Sequence, residues 1–146
     1  MRLLTSVLLT AILLPAQTSG GDDVLAIVQK IFNGIGKHDG EMIRSAMLPD
    51  AKIYVSRDTG AASSSTLAEM IAQIAAGKVP MVERFTSPPH VMILERIAQV
   101  WDEYEFLRDG KFSHCGVDTA TLLKTADGWK ISSLSYTVDR TGCKGQ

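Results

Sequence analysis

The amino-acid sequence predicts an α+β domain in which a strongly curved antiparallel sheet wraps around three N-terminal helices. Three observations predict it. Val24, Ile27, Val28, Ile31, Phe32 and Ile35 recur at helical spacing and form one apolar stripe, and shorter stripes of the same period follow. From Met81 onward the chain becomes rich in β-branched and aromatic residues. Those later runs are separated by short turn signals rather than by helices, which implies antiparallel neighbours with the helices gathered on one face.

In chain order, Asp22 and Asp23 complement the dipole at the start of the first helix, and Gly36 is its expected end. Asp39 caps a second, short helix lined by Met42, Ala46 and Met47, with Pro49 blocking its continuation. Ala51 to Ser56 alternates as a strand, and the "DTGAASSS" run after it reads as a loop. Thr66 and Glu69 have capping-box spacing at the head of a third helix, striped by Leu67, Met70, Ile71 and Ile74 and closed by Gly77. "MVERF" is a short strand, and Pro88-Pro89 imposes an extended break. "HVMIL" and "IAQVWDEYEFL" meet at Glu95-Arg96. Asp109-Gly110 is a hairpin signal leading into "KFSHCGVDTATLLK". Ala126 to Gly128 suits a three-residue turn into the last strand, "WKISSLSYTVD".

Residues 1–20 have a different character. Arg2 precedes an apolar run from Leu3 to Leu14, Pro15 stops it, and small residues follow. This is the layout of a signal peptide, with cutting expected between Thr18 and Gly21 and residues 21–146 left as the domain. Twelve helical residues rise only about 18 Å, too short to span a hydrocarbon core of roughly 30 Å. The expected location is therefore exported, periplasmic or extracellular, with no membrane attachment after cleavage. The net charge of −1 over 146 residues offers no footprint for nucleic acid.

The sequence resembles the nuclear transport factor 2-like superfamily, in its SnoaL-like and lumazine-binding-like branch. The resemblance rests on the order of elements and on "IFNGIGKHDGEMIRSAMLPDAKI", "IAQVWDEYEF" and "DGKFSHCGVDTATLLKTADGWKISSLSYTV". It covers roughly residues 22 to 140. It implies a cone with a pocket in its mouth, which in this superfamily serves isomerases, dehydratases, cyclases and binding proteins alike. It also implies that the open sheet can form a homodimer. Fold does not select among these functions.

Strand alternation nominates two faces. If Arg108 faces Lys111 across Asp109-Gly110, then Trp101 faces Asp118, Glu105 faces His114 and Tyr104 faces Cys115. If Thr125 faces Trp129 at the next turn, Asp118 faces Tyr136. One face then carries Trp101, Glu103, Glu105, His114, Asp118 and Tyr136, with Asp118 or His114 as acid–base group, Tyr136 as hydrogen-bond donor and Trp101 stacked on a small organic ligand. The other carries Asp102 and Tyr104 as an alternative ligand site. On this register the two exclude one another. The competing reading makes His114 a surface histidine beside Glu105, Trp101 part of a dimer contact, and the domain a non-catalytic binding or assembly module.

Metal and cofactor signals are absent: His38, His90 and His114 are scattered, no C-x-x-C occurs, and the glycines of "GIGKHDG" follow a helix rather than a strand. His114 and Cys115, as neighbours on a strand, point to opposite faces and cannot form a catalytic pair. Cys115 either stays a buried thiol or pairs with Cys143, which an exported chain with two cysteines favours. Pairing requires the tail to fold back at Thr141-Gly142, because Cys115 is expected opposite Asp139.

Overall fold

A computed structural model describes residues 20–143. The segment expected to be a signal peptide, residues 1–20, lies outside them apart from Gly20. Three helices, α1 (Gly21–Lys37), α2 (Gly40–Ala46) and α3 (Leu67–Ala75), pack on one face of a seven-stranded sheet made of β1 (Met47–Arg57), β2 (Ala62–Thr66), β3 (Met81–Phe85), β4 (His90–Leu94), β5 (Ile97–Arg108), β6 (Lys111–Thr125) and β7 (Gly128–Val138). The strand order is β2-β1-β7-β6-β5-β3, with β4 sharing the same edge of β5 as β3. The sheet is open, and the predicted cone is the observed architecture. No helix among the described residues is long and apolar enough to cross a membrane.

The α1 stripe is the inner plug. Val24, Val28, Ile31, Phe32 and Ile35 are buried against the sheet. Gly36 does not end this helix. His38 does, in the left-handed conformation (φ 54°). That unfavourable backbone is offset by what its ring gains: Nδ1 lies 2.9 Å from the Ile74 carbonyl and Nε2 3.1 Å from that of Val79, tying α1 to the end of α3. Asp39 caps α2 through the Met42 amide, and the Thr66–Glu69 capping box is complete.

Three expectations about the sheet are corrected. It is mixed rather than antiparallel, because β1 runs parallel to β7. The stretch read as a loop after β1 contains β2, whose backbone satisfies the outer edge of β1. Met47 belongs to β1, not to the second helix, and Pro49 sits exposed within that strand where its pairing with β7 shifts register.

Two bulges control which side chains face inward. The Asp109-Gly110 turn is as expected, both residues having positive φ and Arg108 facing Lys111. Phe106 then pairs with His114 and Leu107 with Phe112, so Ser113 is an extra residue and every later pair moves by one. Glu105 faces Cys115, Tyr104 faces Gly116, and Asp102, not Trp101, faces Asp118. At the next hairpin Thr125 faces Gly128 rather than Trp129, and an extra residue at Ser132 restores the register, so Asp118 does face Tyr136.

Candidate functional site

The register shift merges the two faces that the sequence set against each other. Asp102, Tyr104 and Phe106 of β5 share the inner face with His114, Asp118 and Ala120 of β6 and with Leu134 and Tyr136 of β7. Between this wall and the helices lies a cavity of about 410 Å³. The α1 side chains Val28, Ile31, Phe32 and Ile35 and the α3 side chains Met70 and Ile74 supply its apolar side. Asp118, His114, Tyr136 and Tyr104 all line it. Trp101 does not. It stands on the outer face, half exposed, beside Tyr54, Val117 and Thr119. Its expected stacking role inside the cone is therefore corrected, the cause being the extra residue at Ser113.

Glu83 completes the floor. It was missing from the candidate residues, although Met81, Glu83 and Phe85 share one face of β3 and a carboxylate between two apolar inward positions is a readable signal. Glu83 and Asp118 are in side-chain hydrogen-bond contact, and two carboxyl groups in such contact share a proton. Burial is the largest cause and raises both; Glu83 raises Asp118 further, whereas the hydrogen bond with Asp118 partly offsets the rise of Glu83. Glu83 is pushed up to about 8, and Asp118, almost wholly buried, rises well above the usual carboxylate range. Asp102 adds to the effect. It is 1% exposed, neither carboxyl oxygen has a hydrogen-bond partner among the described residues, and burial pushes it up to about 7. At neutral pH the floor is thus a proton-carrying acid pair, able to donate to a polar atom of a ligand or to take a proton back.

The two tyrosines differ in role. Tyr136 stands directly across from Asp118, and burial raises its phenol above the ordinary value. Tyr104 is committed: its hydroxyl donates to the Thr137 carbonyl at 2.7 Å. To reach β7 from β5 it crosses β6 at Gly116, its direct partner. A Cβ at Gly116 would run into the Thr137 carbonyl oxygen. Gly116→Ala should accordingly lower the unfolding free energy by about 1–3 kcal/mol, the usual cost of overpacking. An unchanged urea midpoint would show that β6 and β7 can part here without loss.

His114 stands apart from the acid pair. Four residues of strand separate it from Asp118, roughly 13 Å. Its ring stacks on Phe106 at 4.8 Å and meets the Tyr104 ring edge-on, and Nδ1 lies 3.1 Å from the Ser113 hydroxyl. Burial, followed by the nearby Arg140 and Arg108 charges, lowers its pKa, which favours the neutral ring. Glu105, once its expected neighbour, is on the outer side and pairs with Arg84. Cys115 and Cys143 are joined by a disulfide with Cα atoms 5.8 Å apart, and the tail turns at Gly142 (φ 124°) after Asp139 bridges Cys115. No group of three or more metal-ligating side chains suited to an ion occurs among the described residues.

No family model matches the sequence, and no curated protein does. Solved structures do match. A nuclear transport factor 2-like superfamily protein from Salmonella enterica superposes with TM-score 0.69 at 13% identity, covering 90% of this chain and 99% of its own. An NTF2-like protein from Cytophaga hutchinsonii gives 0.69 at 17% identity, with 81% and 97% covered. A protein from Streptomyces avermitilis, described as a candidate dehydratase of the NTF2-like family, gives 0.65 at 20% identity, with 81% and 94% covered. The fold is nuclear transport factor 2-like.

Proposed function

We propose that the chain binds a small organic molecule inside the cone and that the Glu83–Asp118 pair exchanges a proton with it. The observation that carries this reading is the convergence of a proton-sharing acid pair and Tyr136 in a cavity walled on its helical side by Val28, Ile31, Phe32, Ile35, Met70 and Ile74. A buried carboxyl pair is expensive to keep in a fold, and an apolar pair of the same size would be more stable. With a carboxyl pKa raised toward neutrality, acid–base turnover of an isomerase, dehydratase or cyclase kind is within the chemistry of the site. His114 and Ser113 would contact the ligand nearer the mouth. The disulfide and the N-terminal segment together support an exported protein.

The test is native mass spectrometry of the protein isolated from the exported fraction of its own host. A retained organic mass, an N-terminus between residues 19 and 21 and oxidised cysteines are expected. A protein that carries no small molecule and retains residues 1–20 would count against both ligand and export. Asp118→Asn keeps the side-chain volume and should weaken capture of the retained molecule, or its turnover, by about tenfold or more, because a charge-assisted hydrogen bond is lost. An unchanged affinity would remove the acid pair from the function.

The outer face favours a second reading. Tyr54 and Trp101 are 49% and 51% exposed there and border one groove with Val117. Large apolar side chains left on an open sheet suit a homodimer contact. Sedimentation velocity of the wild type against Trp101→Gln distinguishes a dimer through this face from a monomer.

A further inference from the structure

Resting on the ligand reading above, the mouth of the same cavity says what class of molecule would enter. Arg57, Arg108 and Arg140 all line it. They lie far apart in sequence, and the topology gathers them. Because β1 runs parallel to β7, Arg57 ends beside Val138, and Arg140 follows two residues later. Because β5 and β6 form a hairpin, Arg108 ends where β6 begins, three residues along β5 from Glu105, which faces Cys115 of the Cys115–Asp139 bridge. The three guanidinium groups thus share one end of the cone and are solvent-exposed, whereas the carboxyl groups of Asp118 and Asp102 are buried deep within it. Their own partners are few. Arg140 lies 3.7 Å from Asp58, Arg57 donates to the Ser63 hydroxyl at 2.9 Å, and Arg108 has no ion-pair partner among the described residues.

We propose that the cavity takes an amphiphilic organic anion. A carboxylate, sulfate or phosphate head is held at the mouth by Arg57, Arg108 and Arg140. An apolar body lies between α1, α3 and Leu134, and a polar atom at the far end reaches the Glu83–Asp118 pair. Guanidinium groups match oxyanions in geometry as well as in charge. The opposite orientation would bring the anion against the Glu83–Asp118 pair, where a further negative charge opposes ionisation and no cation among the described residues offsets it. Burial first, and then the Arg140 and Arg108 charges, lower the His114 pKa, so two of the three cations act at this end.

Anilinonaphthalene sulfonate and its uncharged parent, phenylnaphthylamine, share one apolar skeleton and report binding by fluorescence. The sulfonate should bind about ten times more tightly than the parent at low salt, and the advantage should shrink at about 0.5 M salt. Arg57→Gln, Arg108→Gln and Arg140→Gln should each weaken the sulfonate by about two- to fivefold, as expected for exposed charges, and leave the parent unchanged. Leu134→Trp, or Ile74→Phe should that variant not fold, should abolish both. Equal affinities, or a sulfonate indifferent to the triple arginine variant while Leu134→Trp still blocks the parent, would overturn the anion assignment and leave the ligand pocket standing. Failure of both probes to bind, or binding lost in Trp101→Gln and kept in Leu134→Trp, would overturn the two together.

Discussion

Asp102→Asn should raise the unfolding free energy at pH 8 by up to about 4 kcal/mol and change it little at pH 4. Asp102 is buried on the inner face of β5, directly opposite Asp118, with both oxygens unpartnered among the described residues. Burial raises its pKa from 3.8 to about 7. Below pH 4 the group is protonated whether the chain is folded or not, and it has no effect on the balance. Between pH 4 and 7 the unfolded chain releases the proton and the native state keeps it. Stability therefore falls by about 1.4 kcal/mol per pH unit across that window and stays at the reduced level above it. Asparagine has nearly the same shape and does not titrate. Its buried amide resembles the protonated acid, so the two proteins should agree at acid pH and diverge as the pH rises. Glu83 and Asp118 are shifted in the same direction, so the variant should keep a shallower slope of the same sign. Losing the Asp102 charge should also lower the pH at which that pair titrates, because Asp102 raises both. Urea denaturation at pH 4, 6 and 8 reads the first effect. Equal curves at every pH, or a variant weaker at pH 8, would mean that Asp102 is ionised and compensated in the native state.

The helices and hairpins of this cone were legible because their signals are local. The α1 stripe, the Thr66–Glu69 capping box and the Asp109-Gly110 turn are each contained in a few residues, and the structure has all three. What the sequence concealed is long-range or depends on a single residue. The parallel contact of β1 with β7 joins segments about eighty residues apart, and β2 is a run of serines with no strand pattern of its own. Ser113 and Ser132 are small polar residues that fit either face of a strand, and nothing in the periodicity marks either as the extra one. Yet Ser113 alone moves Trp101 out of opposition to Asp118 and puts Asp102 in its place. The pairing of Asp118 with Tyr136 survived only because two one-residue departures, at Gly128 and Ser132, cancel. Alternation thus found most of the polar groups of the site while assigning them to opposite sides of the sheet. The alternation of β3 points Glu83 inward, but its approach to Asp118 spans the intervening β5 and has no local signal.

Removing the disulfide, with Cys115→Ser and Cys143→Ser together, should cost roughly 3–4 kcal/mol, about the chain entropy of a closed loop of this size. The bridge spans 28 positions of sequence, and that span contains β6 from Cys115 onward and all of β7, with Asp118, Leu134 and Tyr136. In the unfolded chain the cross-link forbids most arrangements of that hairpin, and the double serine variant restores them. The native state should change less. Backbone bonds between Cys115 and Asp139 in both directions, at 2.9 and 2.8 Å, already hold the end of β7 against β6, so Val138 and the floor of the cavity should stay in place. Beyond Asp139 the support is thinner. The Asp139 carboxylate accepts from the Thr141 amide and hydroxyl, which closes a tight local turn but does not tie it to the sheet. Arg140 lies in that segment, so its position at the mouth depends on the disulfide more than that of Arg57 or Arg108 does. The expected pattern is a large fall in the urea midpoint with an unchanged far-ultraviolet circular dichroism spectrum, and the same fall in wild type treated with a reductant. A loss below about 1 kcal/mol would show that the unfolded hairpin is held compact without the bridge. A loss accompanied by collapse of the sheet signal would show that the bridge, and not the β6–β7 ladder, keeps the cone together.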